Sequence, residues 1–435
     1  MGSGPAGSFF SFFLLDIAQR IGIQVEVDLY ESKDFSVCGP AGCNKCGGII
    51  SESLLQMLAA EGINLPSHIV QRGIDSYVLH MDIGTVRIET PLKEKRIAAV
   101  YRGSGPRGSK VTQSRSFDGH LQDLAIRKGA HPVRGRIEEV TWNNNRPQIK
   151  TQKGDSETYD VLVFATGVNT GTLKLLGNLG LEYKPPQTTR AFICELPLDE
   201  ESMNNYIGSS MHVFLLNIAR LKFAALIPKG KCVTLCLLGK DIDKLLIQSF
   251  LGSPEFKQCF PPDWKMPDDF CRCFPFMNIG GAVHPFHDRI VFIGDSGVSR
   301  LYKDGIGAAY RTSKAAAKTI IFEGFSAEDF LSHYWPTCKV ISSDNGLGKT
   351  IFLIINMIKK IRFARRGILR MVFREQQKKG GRQRMSSVLW DTFTGSASYR
   401  DVFLRTLHPL FLESFMRNIV ASLWSNTVLK GKEFI

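Results

Sequence analysis

No apolar run in this chain approaches the roughly 20 residues that span a bilayer. Nothing like a basic leader precedes its first apolar stretch, FFSFFLL at 9–15. Neither a spanning helix nor a secretory signal is therefore expected, and the chain reads as a protein of the reducing cytoplasm. Cysteine is too thin for a disulfide framework, since ten in 435 residues is not the density of a short secreted domain. Acid is scarce where base is dense. Between Lys359 and Arg384 eleven basic residues stand against Glu375 alone, so this segment carries about ten of the net +14 charges. The rest is ordinary: 43% hydrophobic and 22% charged residues exclude disorder as the main state. A basic balance of this size points to an anionic partner, which can be nucleic acid, a phosphorylated ligand or a membrane surface.

Other absences narrow the chemistry. The stretch CGPAGCNKCGGII (38–50) sets Cys38, Cys43 and Cys46 in the C-x4-C-x2-C spacing that opens a plant-type ferredoxin site. A fourth thiolate is missing, because the next cysteine is Cys194. Cys232/Cys236 and Cys271/Cys273 lack C-x-x-C spacing, so zinc is not favoured either. No metal site is read from the sequence. His120, His284 and His287 are scattered singly and read as surface or hydrogen-bonded residues. NGLGKT (345–350) resembles the end of a P-loop, but Ser343 stands where the first glycine belongs.

What is present is a nucleotide fingerprint. In MGSGPAGS, Gly2, Gly4 and Gly7 fit G-x-G-x-x-G. The three glycines serve a tight turn, close approach to a pyrophosphate, and helix–strand packing. A helix over roughly 5–21 should aim its N-terminal N–H groups at phosphates. IQVEVDLYE then reads as a strand ending in Glu31, an acid placed to bind ribose hydroxyls. YDVLVFATG (159–167) is a strand entering a glycine turn, and DRIVFIGDSG (288–297) a buried strand ending in Gly294-Asp295. YKDGIGAAYRTSKAAAKTII comes next as a glycine turn and an alanine-rich helix. One element is short: only Met1 precedes the fingerprint, where the topology expects a buried central strand. A Val/Ile-rich strand upstream, or a truncated form, is the expectation.

Gly2–Gly7, Glu31, the ATG turn at 165–167 and Gly294-Asp295 together resemble the FAD-binding domain of the p-hydroxybenzoate hydroxylase-like flavoproteins. Within that group the chain is similar to the geranylgeranyl reductase family. The further likeness lies in Cys46-Gly47-Gly48, in the Arg-started helix RSFDGHLQDLAIRKGA (115–130), and in the turn Pro228-Lys229-Gly230. It covers roughly residues 1–335. The resemblance implies an α/β fold: an FAD-binding Rossmann-like domain short of its first strand, over 1–180 and 275–325. An antiparallel-sheet substrate domain over 181–274 and a helical C-terminal region over 326–435 complete it. It implies FAD as cofactor, held by Gly2, Gly4, Ala6, Gly7, Glu31, Arg115, Gly167, Asp295, Gly305, Ile306 and Gly307. Cys46 is the implied catalytic residue, close to the flavin, where a thiol can position substrate, donate a proton or tune the flavin. The alternative is a small apolar residue in a tight turn.

TTRAFICEL (188–196), HVFLLN (212–217) and KCVTLCLLG (231–239) read as strands of the substrate domain. Where the reductases often show Y-x-W-x-F-P, this chain has Phe223, Ala225 and Ile227, which reshapes an apolar wall. Segment 349–384 interleaves Ile351, Ile354, Ile355, Ile358, Ile361, Ile368, Met371 and Val372 with Lys and Arg. It reads either as a basic amphipathic helix on an anionic membrane, on the cytoplasmic side, or as a helix packed on its own core. Nucleic acid is not expected, since no aromatic stacking pattern accompanies the charge. Residues 385–435 read as an apolar helical cap. The expected function is an FAD-dependent reductase of carbon–carbon double bonds in an isoprenoid or other apolar lipid. The alternatives are electron transfer to quinone, monooxygenation, or a non-catalytic membrane-associated flavin-binding protein. With no second G-x-G-x-x-G, the electron donor is a transiently bound NAD(P)H or a small redox protein.

Overall fold

The computed structural model describes residues 1–90, 97–109, 114–171, 176, 179–378 and 382–424. It divides into two units. The first comprises Met1–Asn44, Arg102–Thr189 and Phe276–Asn345, and the second Lys45–Tyr101, Arg190–Pro275 and Gly346–Ile435.

In the first unit, Pro5 opens the helix Pro5–Ile21 and Gly22, at φ +74°, closes it. Proline suits the first turn because its missing N–H would have no helical partner there, and glycine tolerates the left-handed cap. Phe9 and Phe13 of this helix meet Tyr310 of the helix Gly305–Phe322 edge-on, at 5.7 and 5.3 Å between ring centres. The strand Asp28–Glu31 pairs in parallel with His131–Arg134, and Leu162–Phe164 in parallel with Ile290–Phe292. Met1 lies between the two pairs. Gly2 N–H donates to Tyr30 O at 2.8 Å, the Met1 amino group donates to Val163 O at 2.8 Å, and Ala165 N–H donates to Met1 O at 2.9 Å. Met1 thus lies in the place between the two pairs where the central strand is expected.

The second unit is built on one sheet whose strands from 181–274 pair antiparallel, as expected, and which continues through a parallel join into a hairpin from earlier in the chain. Its strands run Arg272–Cys273, Thr188–Pro197, Cys232–Gly239, Leu221–Lys229, Ser210–Phe214, Ser76–Met81 and Gly84–Glu89. Ser210–Phe214 and Ser76–Met81 pair in parallel. That pairing places residues 45–101 with this unit, and not with the nucleotide domain (1–180) where the sequence motifs put them. Alternation assigns the faces. Cys194, Leu196, Phe214, Ala224, Leu226, Leu235 and Leu237 face a core shared with Phe250, Phe256 and Phe260. Phe223, Ala225 and Ile227 point the other way and are also buried. There Phe223 stacks on Phe352 at 5.7 Å and meets Phe393 edge-on at 5.5 Å. The expected apolar wall is therefore covered by the C-terminal helices.

Segment 349–384 is two elements, not one amphipathic helix. Trp335–Lys360 is a single helix that contains NGLGKT, so those residues form no phosphate loop. The chain breaks at Ile361 and resumes as Arg362–Gln377. Ile351, Ile368, Met371 and Val372 are buried. Gly367 permits the helix Pro409–Trp424 to pass, because a Cβ there would meet Ile419 Cγ1 at 2.8 Å. Two of the basic residues, Lys359 and Arg365, are buried: the Lys359 ammonium donates to the carbonyls of Leu221 and Lys222 at 2.6 and 2.9 Å. Arg365 pairs with Asp82, and Arg370 donates to Ala421 O at 3.0 Å. The core-packing alternative describes half of the eight-residue stripe, with Ile355 and Ile358 half-buried. Ile354 and Ile361 remain exposed. Among the described residues no helix is long and apolar enough to cross a membrane.

Candidate functional site

The first unit gathers the fingerprint into a cradle. Gly2 sits at φ +91°, and a Cβ there would meet the Ala165 carbonyl oxygen at 2.6 Å. At Gly7 a Cβ would strike Gly2 O at 1.9 Å. These two glycines are therefore required by the packing of the turn on the ATG turn and of the helix on the turn. Gly4 differs, since a Cβ would meet only the tip of Asn44 at 3.1 Å. It leaves the helix start bare: no side chain caps it and no acid stands in its first turn. The positive end of the helix dipole is thus presented to an anion.

Glu31 closes the cradle. Its Oε2 accepts Ser3 N–H at 2.9 Å, and its Oε1 accepts Ser32 and Lys33 N–H at 2.9 and 3.0 Å. Each carboxylate oxygen has two acceptor directions, so these three bonds leave one direction, on Oε2, for a ribose hydroxyl. On the other side, Gly294 at φ +60° would set a Cβ 2.7 Å from that of Ala6, and Ser313 Oγ donates to Ala6 O at 2.7 Å. Asp295 is the next residue. It is open to solvent, yet the protein packed around it raises its pKa, opposed by Ser299 and the Arg102 charge. Gly305 begins its helix half-buried, while Ile306 and Gly307 are buried. A Cβ at Gly307 would collide with the Asp304 carboxylate at 2.1 Å. Asp304 is held there by Arg300 at 2.8 Å and Arg311 at 3.1 Å. Gly167, at φ +66°, has open space where a Cβ would be.

Gly2, Ala6, Gly7, Glu31 and Asp295 are therefore brought together. Arg115 is exposed, one residue before Ser116, which caps the helix Phe117–Arg127. Arg102 is buried instead, and sequence reasoning passes over it. Its Nε and Nη2 donate to Asp118 at 2.5 and 3.0 Å, and Asn44 also donates to Asp118. The only sequence signal for this pair is the aspartate inside RSFDG.

In the second unit, Cys46-Gly47-Gly48 forms a tight turn on the sheet. A Cβ on Gly47 would meet Cys236 Sγ at 2.9 Å, and one on Gly48 would meet Val100 O at 2.1 Å and Lys229 Nζ at 3.0 Å. Cys46 is half-buried. Lys229, from the strand Leu221–Lys229, is 1% exposed and lies 3.6 Å from Glu195 Oε1. Glu195 Oε2 accepts Thr234 Oγ1 at 2.7 Å and the Cys232 thiol at 3.2 Å. Burial pushes that thiol well above its ordinary pKa, with Glu195 adding to the effect. A buried ion pair under the glycine turn is a polar feature that alternation alone does not reveal. Lys229 and Glu195 come from different strands, 34 residues apart in sequence. Cys38, by contrast, donates to the Ser104 carbonyl at 3.4 Å in the first unit.

Architecture and cradle together define a fold shared with flavoproteins. Among solved structures, a geranylgeranyl bacteriochlorophyll reductase-like protein from Thermoplasma acidophilum is similar over 96% of this chain and 97% of its own, with TM-score 0.65 and 12% identity. A flavoprotein/dehydrogenase from Cytophaga hutchinsonii is similar over 97% and 98%, with TM-score 0.62 and 12% identity. The halogenase PltM, in complex with phloroglucinol and FAD, gives TM-score 0.59 at 11% identity over 97% and 90%. Compared by sequence, the chain matches no family model and no curated protein.

Proposed function

We propose that this chain is an FAD-dependent oxidoreductase that reduces carbon–carbon double bonds of an isoprenoid or other apolar lipid at a membrane surface. One observation carries the flavin reading: the Glu31 carboxylate is tied to the Ser3 N–H inside a glycine turn that tolerates no side chain at Gly2 or Gly7. The donor set fits FAD. Bare N–H groups at the start of Pro5–Ile21 suit the pyrophosphate, Glu31 the ribose, and Asp295 a ribityl hydroxyl. When bound and reduced, FAD supplies a hydride. Saturating an alkene needs a proton as well, and Cys46 Sγ is the proposed donor, with water as the alternative. NAD(P)H or a small redox protein returns the electrons.

What favours reduction over oxygenation is the resemblance of Cys46-Gly47-Gly48 to the geranylgeranyl reductases, in a stretch where neither glycine has room for a Cβ. The deciding experiment is anaerobic reoxidation of the reduced protein by polyprenyl lipids, by quinones and by oxygen in separate runs. Oxidation coupled to a saturated lipid product supports this reading. Fast reaction with quinone alone, or hydroxylated product with oxygen, replaces it with the electron-transfer or monooxygenase reading. A folded preparation that takes up no flavin ends all three.

The membrane part rests on a patch of the second unit. Leu353, Ile354, Met357, Ile361 and Phe363 are 36–61% exposed around the helix break, with Lys360 and Arg362 exposed among them. Exposed apolar groups ringed by base suit the interface of an anionic bilayer.

A further inference from the structure

On the sheet face away from Lys229, three potential metal ligands meet inside the phenylalanine-rich core of the second unit. His80 lies on Ser76–Met81, His212 on the adjacent parallel strand Ser210–Phe214, and Cys259 just after the short helix Pro254–Lys257. All three are buried, at 3%, 5% and 1% exposure. His80 Nε2 is 2.9 Å from His212 Nδ1, and Cys259 Sγ is 3.4 Å from His212 Nδ1 and 3.9 Å from His80 Nε2. We propose that His80, His212 and Cys259 form a structural site for a single thiophilic d10 cation, Zn(II) or Cu(I).

The surroundings already orient the ligands. His212 Nε2 lies 3.3 Å from the Ile207 carbonyl oxygen. A carbonyl can only accept, so the ring proton belongs on Nε2 and the Nδ1 lone pair faces Cys259 and His80. On the other ring, Nδ1 of His80 lies 3.2 Å from Thr85 Oγ1 and 3.1 Å from the Gln258 side-chain amide. Either can accept a proton from Nδ1 once the hydroxyl or amide is turned to suit, which frees Nε2. Ligating histidines are normally fixed through their other nitrogen in this way. Metal–nitrogen bonds of about 2.0 Å and metal–sulfur bonds of about 2.3 Å set N···S near 3.5–3.8 Å and N···N near 3.4 Å. The two N···S separations, 3.4 and 3.9 Å, lie about 0.1 Å to either side of that range, and the N···N distance must open by about half an ångström.

The chemistry selects the ion. Thiolate with imidazole suits Cu(I) and Zn(II), whereas carboxylate and water sites suit Mg(II) and Ca(II). Among the described residues no Asp or Glu joins the group. Three ligands satisfy Cu(I) outright, and Zn(II) needs one further small ligand. Binding replaces the Cys259 S–H bond with an S–metal bond and releases one proton. The imidazoles stay neutral, with His80 moving its proton from Nε2 to Nδ1. The ion would tie two neighbouring strands to the 254–259 segment.

The test uses the full chain, made without a histidine tag. Metal content is measured by mass spectrometry on protein purified without chelator. Chelator-treated protein is then titrated anaerobically with Co(II) as an optical probe, and a Cu(I) chelator competition forms the second arm. We expect about one Zn or Cu per chain, and a thiolate–Co(II) charge-transfer band that saturates at one equivalent and is displaced by Zn(II). Cys259→Ser and His80→Gln should each remove the band, while Cys38→Ser and Cys43→Ser keep it. His80→Gln retains hydrogen-bonding capacity, so it reads the site even if Cys259→Ser misfolds. A folded wild type that binds neither Co(II) nor Cu(I) stoichiometrically overturns the proposal, as does a band that survives in folded His80→Gln.

Discussion

Glu31 accepts three backbone N–H bonds while keeping one direction for a ribose hydroxyl, so removing it tests the cradle without touching the glycines. Glu31→Ala should weaken FAD binding about 10- to 100-fold, the equivalent of about 1.4–2.8 kcal/mol. Flavin fluorescence titration of the deflavinated protein measures it. At Cys46 the expected pattern is different, because a proton donor contributes to rate rather than to cofactor affinity. Cys46→Ala should keep the flavin spectrum and lower turnover with a lipid substrate by about 100-fold or more; unchanged turnover would leave Cys46 as a turn residue. Lys229 offers a stability readout. Lys229→Met strands Glu195 half-desolvated beneath the glycine turn and should cost about 3–5 kcal/mol in urea unfolding. Adding Glu195→Gln should recover a large share, since the uncompensated charge, not the lost contact, is the main cost.

The helix that ends at Lys360 buries base, and that burial makes stability depend on pH. It lowers the Lys359 pKa from 10.5 to about 8, with Asp82 pulling the other way. Between those two values the unfolded chain holds a proton that the folded chain has released. Stability therefore rises with pH across about 8 to 10.5, by up to about 1.4 kcal/mol per pH unit. Below pH 8 the cost is fully present. Lys359→Met should lack this rise, so wild type should gain about 3 kcal/mol on the variant between pH 7 and 10.5 in parallel urea melts. Equal slopes would place the ammonium in water. Elements with a strong local signature are readable from sequence: Pro5–Ile21 from its proline and glycine, and Thr188–Pro197 and Cys232–Gly239 from β-branched runs between turns. The parallel partner of Ser210–Phe214 is not, because Ser76–Met81 is 134 residues away and register leaves no local mark. Nor is the division of base in 349–384. Periodicity shows which residues share a face, but not whether that face meets lipid or Leu221. His80, His212 and Cys259 are invisible for the same reason, each being a lone residue on its own segment.

At the scale of the molecule, each unit is assembled from three separate stretches of chain, so neither can be cut out as one contiguous piece. The C-terminal helices belong to the second unit, and they bear on membrane association directly. Replacing Arg362, Arg365, Arg366 and Arg370 together would not test lipid binding, because Arg365 is paired with Asp82 inside the fold and Arg370 holds Ala421. The exposed patch at the helix break is separable from that core. Each basic group near an anionic surface contributes about 1 kcal/mol, and insertion of Leu353 and Met357 adds about 25 cal/mol per Å² of apolar area buried. Neither contribution alone holds the protein firmly, and the electrostatic part is screened by salt. Sedimentation with anionic vesicles should therefore be clear at low salt, weaker at high salt, and slight with neutral vesicles. Lys360→Gln with Arg362→Gln should remove most of the salt-dependent part. Leu353→Ser with Met357→Ser should remove what persists at high salt. Both variants should retain the urea midpoint of wild type, since none of the four residues is buried. If both still sediment as wild type does, the patch does not meet lipid, and the reductase reading must place its substrate in solution or on a carrier.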